Sequence, residues 1–477
     1  MVLTVILIPR AEVDMRKRNV DFTEGRLLSS IIYYTVPLIF ASLVQLLFNA
    51  ADLAVLGNFD TSLDSSAVGA VGATGSIVAL LVSSIVGLSG GTNVILSRAV
   101  GAKNEDRVQE IIGTSLILSL VLGIIMLAVG FFSARWFLDA TACPVNCYDG
   151  ALIYLYIYFS ATPAILVYNF GAAIIRVSGD SRSPFIYILI SGVLNVVLNF
   201  ILCLVLTEKV AAVAVATWAS NVLGMVLVIR HLLKLKDGPC SADIHNLRFS
   251  CKELGNIFVI GLPTAFTSAI YSISNLQVQG AINAFGSSVV AGNSAAAQIE
   301  SILNSVASSF ATAAMVFVGH NVGAGKPERV KGSIVRCAVI NIGMALVLGY
   351  TLLALGRYPV SLFVPGDEVA IAVARLRLSC LLTIFFTCAL DCVLSFSMRA
   401  FGYSLLPMIN SMITVVGFRV FWMSLVYPSL PTVGDPAKDI FNVYLCYMIS
   451  WTLSMIVQIV MFSVVYRRYR RGKGKSV

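Results

Sequence analysis

Charge is what this sequence has least of. Asp, Glu, Lys and Arg make up 12% of its 477 residues, about half the share of an ordinary soluble domain, so water is excluded as its main solvent. Short stretches that alternate apolar with polar residues are missing as well, which argues against a transmembrane barrel. The ten cysteines show no metal-ligand spacing and enclose no small domain; they read as small core residues rather than a zinc site or a disulfide framework. No soluble domain carries a Gly-Lys-Ser/Thr phosphate loop, which leaves an ion gradient rather than bound ATP to drive any active process. No apolar segment pairs Asp with Asp, His with Glu, or Ser with His and Asp, so a membrane-embedded enzyme is the weaker reading and none is expected.

What is abundant is apolar length. Apolar residues form 58% of the chain, and the mean hydropathy is +0.89. Runs of about 20 residues or more recur throughout, each able to cross a hydrocarbon core of about 30 Å as a helix. Backbone groups in lipid must be satisfied within the segment, which makes helices the required form. The runs predict helices over 27–57, 66–97, 108–137, 150–176, 184–206, 210–233, 253–284, 288–321, 331–356, 369–399, 405–427 and 440–466.

The net charge of +9 is explained by where the bases lie. Only Arg135, Lys209, Arg357 and Lys438 fall on the side opposite the termini, and Arg375, Arg377 and Arg419 lie within spans. All other Lys and Arg share the side that holds both termini, which the positive-inside rule places in the cytoplasm of a multi-pass plasma or inner membrane protein. The tail from Arg467 to Lys475 suits the anionic lipids of the inner leaflet, so membrane lipids are expected partners and nucleic acid is not. The short apolar run Val2–Ile8 has neither a basic stretch before it nor a small-residue cleavage site, so it fits neither a signal peptide nor a span. Translation is expected to start naturally at Met15, ahead of Arg16, Lys17 and Arg18. Cys143 and Cys147 fall in an expected outside loop, either bridged or free.

The sequence also repeats itself. Val100-Gly101-Ala102 with Arg107-Val108 returns as Val322-Gly323-Ala324 with Arg329-Val330, an offset of 222. Arg176, Gly179, Ser181 and Pro184 return at Arg399, Gly402, Ser404 and Pro407, an offset of 223; Pro37, Ser42 and Asn49 return at Pro263, Ser268 and Asn275, an offset of 226. Near-equal offsets in the same order indicate a duplicated six-helix unit. Six crossings return the chain to its starting side, so both halves share one orientation. The expected division is a cytoplasmic segment at 1–26, one lobe at 27–235, a cytoplasmic linker at 236–252, a second lobe at 253–466, and a basic tail at 467–477.

Of the 24 acidic residues, only Asp52, Glu300 and Asp391 fall well inside spans. Charge there costs about 3 kcal/mol on insertion scales, so such groups face a cavity, find a partner or take up a proton. Asp391 either serves a site or pairs with a base such as Arg419. Glu300 either serves a site or makes polar contacts beside Gln298 and Ser301. Around Asp52 stand Gln45 and Asn49 on the same helix, with Asn169, Asn195 and Asn199 on the fourth and fifth. Asn195 and Asn199 share one helix face. Amides around a carboxylate either hold a proton-linked network, coordinate a hard cation such as Na⁺, or bond helix to helix. Pro37 and Pro263 mark a hinge or a static kink. His320, at a helix end, reads as capping or solvated. The small-residue runs Gly69–Ala73 and Gly292–Ala297 read as packing.

These features resemble the multidrug and toxic compound extrusion (MATE) family from about Thr23 to Arg467. The likeness rests on the first-helix stretch Pro37–Gly57 with Gln45, Asn49 and Asp52, on the doubled Val-Gly-Ala loop, and on the segment Arg176–Pro184. It implies an all-α integral membrane protein, with twelve transmembrane helices in two pseudo-symmetric six-helix lobes around a central cavity. It implies an antiporter that exports amphipathic organic cations in exchange for H⁺ or Na⁺ by alternating access, with no other cofactor; a monomer is expected. Asp52 matches the first-helix coupling carboxylate, supported by Asn169 and Asn195, and a Na⁺ site near Asp52 is one expectation. Asn199 stands where some members carry a second Asp, which leaves the coupling ion open. Asp391 lies near a tenth-helix carboxylate of another branch, shifted by about one residue. Glu300, Asp391, Asn275, Gln298 and Arg419 are the expected lining of the substrate cavity. A flippase for lipids or lipid-linked sugars shares this architecture and remains the alternative.

Overall fold

The structure, a computed structural model, describes residues 20–59, 66–141, 143–235, 240, 248–430 and 436–472. Helices account for almost all of it. In chain order they are α1 (Leu27–Phe59), α2 (Ser66–Gly101), α3 (Glu105–Ala140), α4 (Val145–Ser160), α5 (Thr162–Val177), α6 (Arg182–Val205), α7 (Lys209–Lys234), α8 (Cys251–Asn283), α9 (Ser287–Gly323), α10 (Pro327–Ala354), the short α11 (Tyr358–Ser361), α12 (Glu368–Thr383), α13 (Phe385–Ala400), α14 (Leu405–Asn410), α15 (Phe418–Phe421) and α16 (Pro436–Arg470). Ten spans are long and apolar enough to cross a membrane, and the bent pairs α4–α5 and α12–α13 raise the total to twelve. Each predicted span is found, with ends within a few residues. α16 continues to Arg470, so Arg467, Arg468 and Arg470 belong to the last helix rather than to a separate tail. Met15, the linker residues 236–239 and 241–247, and 473–477 lie outside the described residues. Cys143 and Cys147 are both free thiols.

One departure from straight helices repeats between the halves. The fourth span bends by 45° at Ala161 and its counterpart by 50° at Ile384. The reason at the first bend is local: Pro163 has no N–H to give the Phe159 carbonyl, and the Thr162 hydroxyl fills that place at 2.7 Å. No proline accompanies the second bend. By contrast, α1 and α8 run on through Pro37 and Pro263. The Val259 carbonyl, which Pro263 leaves without its usual amide, accepts the Ser404 hydroxyl at 2.6 Å. The eleventh span is irregular: between α14 and α15, Ser411–Gly417 is π-helical, and Trp422–Val426 is π-helical again.

The duplicated loops are where the halves meet. A Cβ on Gly101 would collide with the His320 carbonyl, and one on Gly323 with the Arg98 carbonyl. The ends of α2 and α9 therefore touch backbone to backbone, each glycine seated on the other half. Farther along α2, a Cβ on Gly91 would stand 2.5 Å from the Ile257 carbonyl, and one on Gly87 2.6 Å from the Ala265 amide of α8. Glu253, almost fully buried, receives Arg107 across the seam at 2.9 Å and 3.3 Å.

The chain before α1 straps the same seam. Val20 donates its amide to the Gly179 carbonyl at 3.1 Å, while Asn321, Lys326 and Arg329 of the other half donate to the carbonyls of Phe22, Thr23 and Glu24 at 3.0, 3.0 and 2.8 Å. Phe22 packs between Tyr34, Phe317 and His320, with ring centroids 5.3, 4.8 and 4.2 Å away. Burying that ring contributes about 2 kcal/mol. Asp21 fixes the turn: burial opposes its ionisation, but amide donors from Thr23 and Glu24 prevail and hold its carboxyl below the ordinary range. His320 is buried in this seam and bonds its ring to the Val316 carbonyl, so the expectation of a solvated histidine is corrected.

Large apolar side chains left exposed, such as Phe132, Leu204, Val347 and Val460, lie along the spans, where lipid is their solvent. The turns that join the repeated elements need left-handed backbone at equivalent places: Lys103 at φ 54° in one half and Gly325 at φ 65° in the other. A lysine there carries a steric penalty of about 1–2 kcal/mol that glycine avoids, partly offset by glycine's freer unfolded chain. Lys103→Gly is expected to raise stability by up to about 1 kcal/mol and Gly325→Lys to lower it, as read from thermal unfolding of the purified protein in detergent.

Candidate functional site

In the first half, the polar residues expected around Asp52 are partly brought together. Asp52 sits on α1 and accepts the Asn199 amide of α6 at 2.6 Å. Asn199 also donates to the Asn195 carbonyl oxygen at 3.3 Å, and Asn195 donates to the Thr217 hydroxyl of α7 at 3.4 Å. Their four-residue spacing on α6 lets both amides stack on one face. No cation lies within ion-pairing distance of Asp52 among the described residues. The Oδ1 of Asn199 is buried and accepts no hydrogen bond, an open acceptor beside a carboxylate. Asn169 instead bonds the Ile165 carbonyl of its own helix at 2.8 Å. Gln45 and Asn49 are exposed on α1 and stand apart from this relay.

The second half carries two separate clusters. Glu300, on α9, holds Arg377 of α12 by two bonds at 2.9 and 2.8 Å, with both side chains buried. Arg377 also bonds Asn293, and its guanidinium faces the rings of Tyr444 and Tyr447 at 5.9 and 5.5 Å. Glu300 is thus neutralised by a base 77 residues away, not held by Gln298 or Ser301. Its charge is committed to Arg377, so the expectation of a free negative group for cargo does not hold at this residue. Gln298 is exposed and outside the cluster.

Arg419, on α15, is 2% exposed. It bonds Asn275 of α8 at 2.9 Å and Ser450 of α16 at 3.3 Å, and lies 4.2 Å over the Tyr447 ring. No carboxylate pairs with it among the described residues. The alternative in which it neutralises Asp391 is overturned: Asp391, on α13, accepts the Ser454 hydroxyl at 3.1 Å. Ser454 in turn accepts Asn410 at 3.1 Å, and Asn410 donates to Gln458 at 2.8 Å. Thr217, Asn293, Asn410, Tyr447, Ser450 and Ser454 were invisible to sequence reasoning. Single neutral polar residues in apolar helices carry no signal until their neighbours are known. Among the described residues no group of three His, Cys, Asp or Glu is placed to hold a metal ion.

The duplicated six-helix unit has a match among known proteins. The model of the MatE family fits residues 37–201 and again 263–425. The chain belongs to the MatE family. It is therefore a multi-pass membrane transporter and not an enzyme. It is 28% identical to "Probable multidrug resistance protein YpnP" of Bacillus subtilis, over 86% of this chain and 88% of that one. It is 26% identical to "Probable multidrug resistance protein YoeA" of the same organism, over 82% and 85%. Among solved structures, a MOP superfamily transporter from Pyrococcus furiosus superposes with a TM-score of 0.85 at 20% identity, over 95% of this chain and 98% of that one.

The Glu300–Arg377 pair makes a direct prediction. Removing one partner strands a buried charge, so Glu300→Gln or Arg377→Met alone is expected to destabilise the MatE protein by about 3–5 kcal/mol, while the double substitution is much milder. Thermal unfolding of the three variants checks this.

Proposed function

We propose that this transporter is a secondary antiporter that exports drug-like amphipathic organic cations in exchange for H⁺ or Na⁺. The observation that carries the reading is Asp52, a carboxylate inside the first span, bonded to Asn199 with the free Oδ1 of that amide beside it. An ionised carboxylate at this depth is costly without a cation. A proton or a Na⁺ supplies one, and the open amide oxygen is a ligand of the hard type that Na⁺ takes.

The seam supports a direction for this cycle. Lobe-to-lobe hydrogen bonds and ion pairs among the described residues gather at the end of the molecule that holds residues 101 and 323. The distribution of Lys and Arg assigns that end, with both termini, to the cytoplasm of the plasma or inner membrane. On this reading the lobes 27–235 and 253–466 are closed toward the cytoplasm, and the cavity between them opens outward. Ion binding at Asp52 in this state competes with the Asn199 bond and shifts the α1–α6 contact. Cargo that pairs with the empty carboxylate is released, and coupling follows from the difference in affinity between the two occupancies. Pro37 and Pro263 give α1 and α8 weakened points at which to bend. Asp391 and the Arg419–Asn275 pair form the second lobe's share of the cavity, and the protein works as a monomer.

Asp52→Asn tests the reading. Fluorescent-dye efflux from proteoliposomes, with pH and Na⁺ gradients imposed separately, is expected to lose its gradient dependence in this variant while the purified protein stays folded. Gradient-driven efflux by Asp52→Asn at the unaltered rate overturns the proposal.

A further inference from the structure

The same three-helix relay is built in both lobes, with opposite charge. In the first lobe it runs from Asp52 on the first helix to Asn199 and Asn195 on the fifth and to Thr217 on the sixth. In the second it runs from Asn275 on the first helix to Arg419 on the fifth and Ser450 on the sixth. Among the described residues, one centre is a carboxylate without an ion-paired cation, and the other is a guanidinium without an ion-paired anion. Glu300 does not compensate Arg419, because both its oxygens hold Arg377. Asp391, which accepts the Ser454 hydroxyl, makes no ion pair with Arg419 among the described residues. Arg377, Glu300 and Arg419 together leave one net positive charge around the Tyr447 ring.

A guanidinium that stays charged in an apolar interior needs more than an amide, a hydroxyl and an aromatic face to balance it. Its second terminal nitrogen makes no hydrogen bond among the described residues. In front of Arg419 stands Asn275, which is exposed. Asn275 lies ten residues, about 15 Å, beyond Ala265, where Gly87 of α2 presses on α8. It is therefore about three helical turns away from that contact, on a stretch of α8 where its side chain is exposed. The amide oxygen of Asn275 occupies the place on Arg419 that a stronger acceptor would take.

We infer that Arg419, screened by Asn275 and backed by Tyr447, is a recognition site for an acidic group on the transported molecule, so that the preferred cargo is a zwitterionic amphiphile whose carboxylate pairs with Arg419. This rests on the export reading above, and it assigns the two ends of one cargo to the two lobes: the cationic end to Asp52 and the acidic end to Arg419. A guanidinium–carboxylate pair is charge-assisted and bidentate, stronger than the amide contact it displaces.

Rhodamine B and its ethyl ester test the site, since they share one fluorescent body and differ in whether the carboxylate is free. Binding to the purified full-length protein by fluorescence polarisation, and efflux from proteoliposomes, are measured for both dyes. The unaltered protein is expected to favour the free acid by about tenfold, the equivalent of one charge-assisted hydrogen bond. Arg419→Gln is expected to abolish that preference and Arg419→Lys to keep part of it. Asn275→Ala, which leaves Arg419 in place and unscreened, is expected to increase the preference, an outcome that a merely structural clip would not give. Equal preference for the two dyes in the unaltered protein, or a preference that survives Arg419→Gln in folded protein, overturns the inference. Should Arg419→Gln fail to fold, a preference that falls or stays constant in Asn275→Ala overturns it. Loss of gradient-driven efflux for both dyes, with acid-selective binding retained, would count against antiport and leave the acidic-group site standing.

Discussion

The two lobes are held by backbone pressed on backbone where α2 meets α9. Gly101 lies on the His320 carbonyl and Gly323 on that of Arg98, and neither position admits a side chain. Everything else at the seam follows from that approach. Arg107 reaches Glu253 only because α3 and α8 are drawn together, and the strap at Val20–Arg26 finds Gly179 on one side and Asn321 on the other. Such an interface gains its strength from close packing of small residues and a few buried polar bonds, as helix association in lipid generally does.

Duplication gave both halves the same framework, and differences at single positions then made them unlike. The fourth spans bend at residues 161 and 384, the loops turn at 103 and 325, and Gly179 and Gly402 take positive φ at the same point of the repeated segment. These are backbone requirements, so they persist in both copies. The side chains that project into the interior obey no such constraint. Val278, the counterpart of Asp52 at the 226 offset, is fully buried and apolar. Embedded charge is costly: among the described residues Glu300 and Arg377 pair with each other, while Asp52 and Arg419, opposite in sign and in opposite lobes, have no ion-pair partner.

Much of this was legible in the sequence, for physical reasons. Spans of twenty or more apolar residues leave little freedom about where a helix crosses, and offsets near 222 fix the duplication. Asp52 with Asn195 and Asn199 was recoverable because those residues share a face. Asn169 looked equivalent by composition, but its amide turns back to Ile165 on its own helix. The Glu300–Arg377 bond joins α9 to α12 and has no local signature. The bend at Ala161 did have one, in Pro163; the bend at Ile384 has none. The strap has no local signature, because seven residues of mixed polarity resemble any cytoplasmic segment until the carbonyls they offer meet Asn321, Lys326 and Arg329.

The π-helical turns at Ser411–Gly417 and Trp422–Val426 bear on how the second lobe is able to move. A π turn holds one more residue than an α turn and is rarely the most stable arrangement of a backbone. If the surplus residue in the first stretch is passed on, the helix beyond it revolves by about 100°, the angle per residue of an α-helix. Arg419 lies immediately past that stretch. The eleventh span is thus wound like a screw with a spare thread, and passing that thread on, by exchanging backbone bonds one turn at a time, would turn its guanidinium away from Asn275.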